Sequence, residues 1–202
     1  MNGISEFVRA MFGAGALEGV AVALGLLNVG LLIRRSIWNY PFGLAMVTLY
    51  CWIFFHEKLY SDAGLQVFFF AIQIYGWINW SRAREASGLV RVERLSRSDA
   101  LRFALATIAG WAALGLFMKL NTDAAYPFWD SAIAALSIAA QVMMARRRIE
   151  NWLLWILTDI LAIGLFWVKG LEPTAALYFI FLVMSLAGFM EWRRSAAQSD
   201  AS

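Results

Sequence analysis

The chain reads as an all-α integral membrane protein with seven transmembrane helices. Three observations carry that reading. The composition is 61% hydrophobic and 15% charged over 202 residues, with a mean hydropathy of +0.64, too apolar for a soluble domain of this size. The apolar residues fall in separate runs, each approaching the roughly 20 residues a helix needs to cross a ~30 Å hydrocarbon core. And the chain repeats itself: placing residues 34–82 on 146–194 without a gap superposes Arg34 on Arg146, Arg35 on Arg147, Ile37 on Ile149, Asn39 on Asn151, Gly76 on Gly188 and Trp80 on Trp192.

The elements follow in order. Residues 1–15 carry Phe7, Met11 and Phe12 and read as a short interfacial helix; no basic n-region with a small-residue cleavage site precedes them, so no removed signal peptide is expected. The first span, 16–33, stops at Arg34-Arg35. The second, 39–56, has Pro41 in its first turn, where the amides lack intrahelical acceptors anyway, and stops at Glu57 to Asp62. The third, 63–81, gives way to a polar linker, 83–100. The fourth covers 101–120 and is followed by an outer loop, 121–131, with Asp123 and Asp130. The fifth, 132–145, ends at Arg146-Arg147-Arg148; the sixth, 151–168, at Lys169 to Pro173. The seventh, 174–192, leads through Arg193-Arg194 to a polar tail, 195–202.

Charge sets the orientation. With the N-terminus outside, the cytoplasmic side receives Arg34, Arg35, Arg82, Arg84, Arg91, Arg94, Arg97, Arg102, Arg146, Arg147, Arg148, Arg193 and Arg194, thirteen of the 17 basic residues, as the positive-inside rule requires. Arg9, Lys58, Lys119 and Lys169 stay outside, and the C-terminus is cytoplasmic. Spans one and five then cross in the same direction, and the fourth is the spacer between two parallel three-helix repeats, 16–82 and 132–194. This 3+1+3 plan is SWEET-like, with a substrate site expected between the halves.

A pI near 9.2 does not point to nucleic acid, since the basic residues sit at span ends. One histidine, His56, leaves no His-rich metal site, and one cysteine, Cys51, no intrachain disulfide. His56 and Cys51, five apart, point to different helix faces, so an intramembrane enzyme finds no support. No cofactor is expected.

Polar groups inside spans are expensive and face a bundle interior or a wet cavity. Asp159 stands eight residues into the sixth span, about 12 Å along its axis at 1.5 Å per residue, where a charge costs on the order of 2.5–3.5 kcal/mol and calls for a partner, water or a proton. Asn151, Trp155 and Asp159 share one helical stripe with Trp152 at its edge; an interfacial Trp belt and an interhelical Asn bond are the alternative. In the third span Gln73, Trp77 and Trp80 form a second stripe, with Trp77 favoured as a site residue and Trp80 as belt. Trp38 and Asn39 precede Pro41, and Asn39 is the repeat mate of Asn151. Asn28, Ser137, Gln141, Tyr178 and Ser185 are further in-span polar residues, open between packing and site. Indoles, amides and one carboxylate suit a flat, modestly polar molecule with a hydrogen-bonding group and a positive charge.

The stretches Trp38-Asn39-Tyr40-Pro41-Phe42-Gly43, Gln73-Ile74-Tyr75-Gly76-Trp77 and Glu150-Asn151-Trp152-Leu153-Leu154-Trp155, followed by Asp159, resemble the Pnu family of vitamin transporters, most closely its carriers of nicotinamide riboside, over about residues 16–194. The resemblance implies facilitated uptake across the bacterial inner membrane by alternating access, trapping by a cytoplasmic kinase, and a SWEET-like fold that assembles as a homotrimer. It implies that Gln73 and Asn151 hydrogen-bond the vitamin, that Trp155 with Trp77 or Trp38 holds its ring, and that Asp159 and Tyr178 are polar contacts. Relatives that carry thiamine or riboflavin keep the substrate open, as does a proton-coupled carrier using Asp159 or a membrane sensor.

Overall fold

The computed structural model describes residues 16–58, 60–85 and 88–199; the interfacial segment expected at 1–15 lies outside them. Among the described residues seven helices form: α1 Ala16–Ile33, α2 Asn39–His56, α3 Tyr60–Arg82, α4 Arg97–Asn121, α5 Pro127–Ala145, α6 Asn151–Val168 and α7 Glu172–Ser199. Four of them, α4 to α7, are long and apolar enough to cross a membrane by length and composition. α4 starts earlier than the apolar run because Ser96, in extended backbone, accepts the amide of Asp99 and caps it. α5 starts at Pro127 and not at 132, since proline's fixed φ suits a first turn; Trp129, Asp130 and Ser131 are therefore helical.

Packing closes the helices into a ring. α1 packs on α2 and α7, α2 on α3, α3 on α5, α5 on α6, and α6 on α7. α4 packs on α5 alone among the described helices, with Gly115 its one buried residue.

The same local devices recur 112 residues apart. α1 and α5 both end in a left-handed residue, Arg35 with φ 55° and Arg147 with φ 62°, and each closes with two turn bonds, Arg35 N to Leu32 O and Ser36 N to Leu31 O in one, Arg147 N to Met144 O and Arg148 N to Met143 O in the other. Such endings satisfy the last carbonyls of a helix. Asn39 Nδ2 then donates to Ser36 O at 2.7 Å and Asn151 Nδ2 to Arg148 O at 2.5 Å, so both asparagines fasten a helix start to its own loop. Tyr40 lies over Gly76 and Trp152 over Gly188, close enough that a Cβ at either glycine would strike the ring.

Two crossed bonds tie the halves together. Trp80 Nε1 donates to Met144 O at 3.1 Å, and its counterpart Trp192 Nε1 donates to Leu32 O at 3.1 Å. Their rings meet at 5.7 Å, Tyr40 stands edge-on to Trp80 at 5.4 Å, and Trp152 edge-on to Trp192 at 5.5 Å. Trp80 is 0% exposed, which corrects its reading as a belt residue: an indole N–H with a carbonyl partner in the other half is worth burying.

Candidate functional site

The ring encloses a cavity of about 730 Å3. Its floor is the aromatic cluster: Tyr40, Trp152, Leu32 and Met144 line the cavity and pack in one core with Trp80 and Trp192. From there the lining climbs along α2 through Val47 and Tyr50 to Phe54, along α3 from Gln73 to Gln66, along α6 through Trp155 and Asp159 to Phe166, and along α7 from Ser185 through Tyr178 to Thr174. Each set follows the three-to-four-residue spacing of one helix face.

Two differently built walls face each other. On one, Gly43 leaves room where any side chain would stand: a Cβ there would overlap Gln73 Oε1 and come within 2.6 Å of Asn28 Nδ2. Asn28 Nδ2 also donates to Asn39 O at 2.6 Å, so the two side-chain amides gather over the glycine. On the other wall the position matching Gly43 is Trp155 and that matching Val47 is Asp159. Asp159 is buried, and Ser185, the counterpart of Gln73, donates its hydroxyl to Asp159 Oδ2 at 2.9 Å. Among the described lining residues Asp159 is the only carboxylate, and there is no Lys, Arg or His. A cation can be stabilised here by one fixed carboxylate and an indole, and amides can serve a polar group opposite.

The cavity brings together Asn39, Gln73, Trp155, Asp159 and Tyr178 of the expected residues. The other three stand elsewhere. Trp38 is 64% exposed in the loop before α2. Trp77 is 37% exposed and stacks on Tyr40 at 6.4 Å, outside the lining. Asn151 is fully buried but below the floor, its amide turned to Arg148 O, so it bonds its own loop and no neighbouring helix. Of the remaining in-span polar residues, Asn28, Gln141 and Ser185 line the cavity, while Ser137 donates to Ile133 O one turn back. Tyr50, Gln66 and Thr174 were not singled out from the sequence; Gln66 lies two turns from Gln73 on one stripe, and Thr174 one turn from Tyr178.

Comparison with known proteins decides the family. A family model described as nicotinamide mononucleotide transporter matches residues 15–194. The chain belongs to that family. It is 32% identical to the nicotinamide riboside transporter PnuC of Escherichia coli (strain K12) over 95% of this chain and 92% of that protein. It is also 28% identical to the riboflavin/roseoflavin transporter RibM of Streptomyces davaonensis, over 84% of this chain and 80% of that one. Among solved structures, the crystal structure of the vitamin B3 transporter PnuC aligns with a TM-score of 0.76 at 28% identity, covering 97% of this chain and 88% of that one. The protein is thus a multi-pass membrane transporter of this family, as the residue stretches of α2, α3 and α6 suggested.

Proposed function

We propose that the protein carries nicotinamide riboside across the bacterial inner membrane by facilitated, alternating-access uptake, the vitamin being trapped inside by phosphorylation. The observation that carries this reading is the charge of the cavity: one buried carboxylate, Asp159, and no cationic lining residue among those described. Nicotinamide riboside is a pyridinium cation bearing a carboxamide and ribose hydroxyls. Its ring suits Trp155 and Asp159, and its carboxamide the amides of Asn28 and Gln73. The mononucleotide named by the family description would bring a phosphate to a wall that offers a carboxylate and no counter-ion, an unfavourable pairing in a low-dielectric site. The nicotinamide riboside transporters among the relatives support the same substrate.

The architecture proposed is the 3+1+3 plan with the N-terminus outside. Its support is the recurrence of loop endings, asparagine bonds and ring-on-glycine contacts at one spacing, together with α4 standing outside the six-helix ring. The homotrimer rests on the family resemblance alone.

Thermal stabilisation of the purified protein tests the substrate. Nicotinamide riboside at 100 times its dissociation constant should add about 2.7 kcal/mol to the folded state, with nicotinamide mononucleotide, thiamine and riboflavin far less effective at the same concentration. Equal or greater stabilisation by the mononucleotide would overturn the charge argument.

A further inference from the structure

Beneath the aromatic floor runs the linker from α3 to α4, and it touches both halves of the ring. At one end Val90 N donates to Arg35 O at 3.2 Å, Arg35 Nη1 reaches Val90 O at 3.5 Å, and Leu89 bridges Ser36. At the other end Glu93 N donates to Arg147 O and Ile149 N to Glu93 O, both at 3.0 Å. The Glu93 carboxylate holds Arg147 at 3.0 Å and Arg148 at 2.9 Å. The loops so joined are the equivalent loops after α1 and α5. Val90, the first anchor, and Val92, between the two, are buried in the same core as Tyr40, Trp80, Trp152 and Trp192.

We infer that residues 89–94 are a latch that keeps this end of the cavity shut, and that Glu93 is its releasable anchor. Three residues of extended chain span about 10 Å from Val90 to Glu93 at ~3.3 Å each. While both anchors hold, the two loops cannot part by more than that, and the aromatic floor above them stays closed. The Val90 anchor is fully buried, and withdrawing it exposes apolar surface. The Glu93 anchor is half-exposed: its carboxylate is 37% accessible and Arg148 30%, so water and salt can take over its ion pairs as it lets go. Two arginines share this one carboxylate, so removing a single charge takes the counter-ion from both and leaves Arg148 only its bond to Arg94 O at 3.0 Å. The linker is therefore a moving part of the carrier, and its release precedes separation of Trp80 and Trp192.

The test uses the full chain with Cys51→Ala and Met144→Cys, which places a thiol in the floor, in membrane vesicles of known sidedness. Glu93→Gln keeps the shape and removes the charge. Labelling of the thiol introduced at position 144 by a membrane-impermeant reagent from the latch face should rise several-fold, and raising salt should speed labelling of the parent but not of Glu93→Gln. A second variant, Glu93→Cys with Arg148→Cys in the Cys51→Ala background, joins the two residues of a parallel β-bridge; neighbouring strands lie about 4.7–4.9 Å apart, inside the ~4.4–6.8 Å Cα range of a disulfide. Oxidised, it should still bind nicotinamide riboside but move none across the membrane, and reduction should restore movement. Unchanged labelling in Glu93→Gln, or full transport by the oxidised pair, would overturn the latch. The uptake arm rests on the proposed substrate, whereas the labelling arm needs none, so failure of either reading is told from failure of the other.

Discussion

Ser185 and Asp159, 26 residues apart on α7 and α6, share a buried hydrogen bond of 2.9 Å in the wall of the cavity. The serine fixes one carboxylate oxygen and leaves the other free to face a ligand. Asp159→Asn keeps the shape and removes the charge. It should weaken nicotinamide riboside binding by roughly 10–150-fold, the 1.5–3 kcal/mol of a hydrogen bond or contact to a charged group. Ser185→Ala should cost only about 2–10-fold. Titration calorimetry reads both. The reduced, uncharged riboside should lose far less in Asp159→Asn, and an equal loss would show that the carboxylate does not read charge.

The indoles divide sharply. Trp155→Ala should weaken binding by at least several-fold, since a cation over an indole face contributes about 0.5–2 kcal/mol. Trp38→Phe should leave affinity within twofold, because that ring lies in an exposed loop away from the cavity. Equal effects in the two variants would place the ring site elsewhere.

Gly43→Ala and Gly188→Ala should fail in different ways. At residue 43 the new methyl meets the ends of the Gln73 and Asn28 side chains, which can swing aside, so stability should change little while affinity falls as the amides are displaced. At residue 188 it meets the Trp152 ring itself, which packed neighbours hold. Overpacking there should cost about 1–3 kcal/mol, seen as a Tm several degrees lower. Melting curves with and without ligand separate the two outcomes.

Trp80→Phe and Trp192→Phe should each destabilise by about 1 kcal/mol, the net worth of one hydrogen bond, because Met144 O and Leu32 O keep their turn partners Arg147 N and Arg35 N. The double variant should depart from additivity, since the two rings touch and residues in contact couple. Strict additivity would mean that the crossed bonds act independently.

Helices were the legible part of the sequence. α1, α2 and α6 begin and end where hydropathy and arginines place them, because apolar runs and charged stops are local signals. The starts of α4 and α5 moved outward, since Ser96 and Pro127 act as helix starters inside stretches that read as polar loop. In the site, Asp159 and Gln73 stood out because a polar residue in a span is conspicuous on its own, and Asn39 because it is the repeat mate of Asn151. Asn151 and Trp77 share stripes with site residues yet miss the cavity, for a stripe gives a helix face and not the depth at which a loop or an aromatic neighbour turns it away. The linker carried no periodic signal at all: its bonds to Arg35 and Arg147 join segments more than 50 residues apart.

The indole of Trp192 reaches back 160 residues to the carbonyl of Leu32. At synthesis rates of 5–20 residues per second, roughly 8–32 s separate the making of the two. During that interval the floor is only part built: Trp80 gains its acceptor when Met144 is made, and Leu32 O waits for its indole until Trp192 follows. The final helix is thus the keystone of the ring, and a truncation that spares every cavity residue but removes Trp192 would leave the vault without its closing stone.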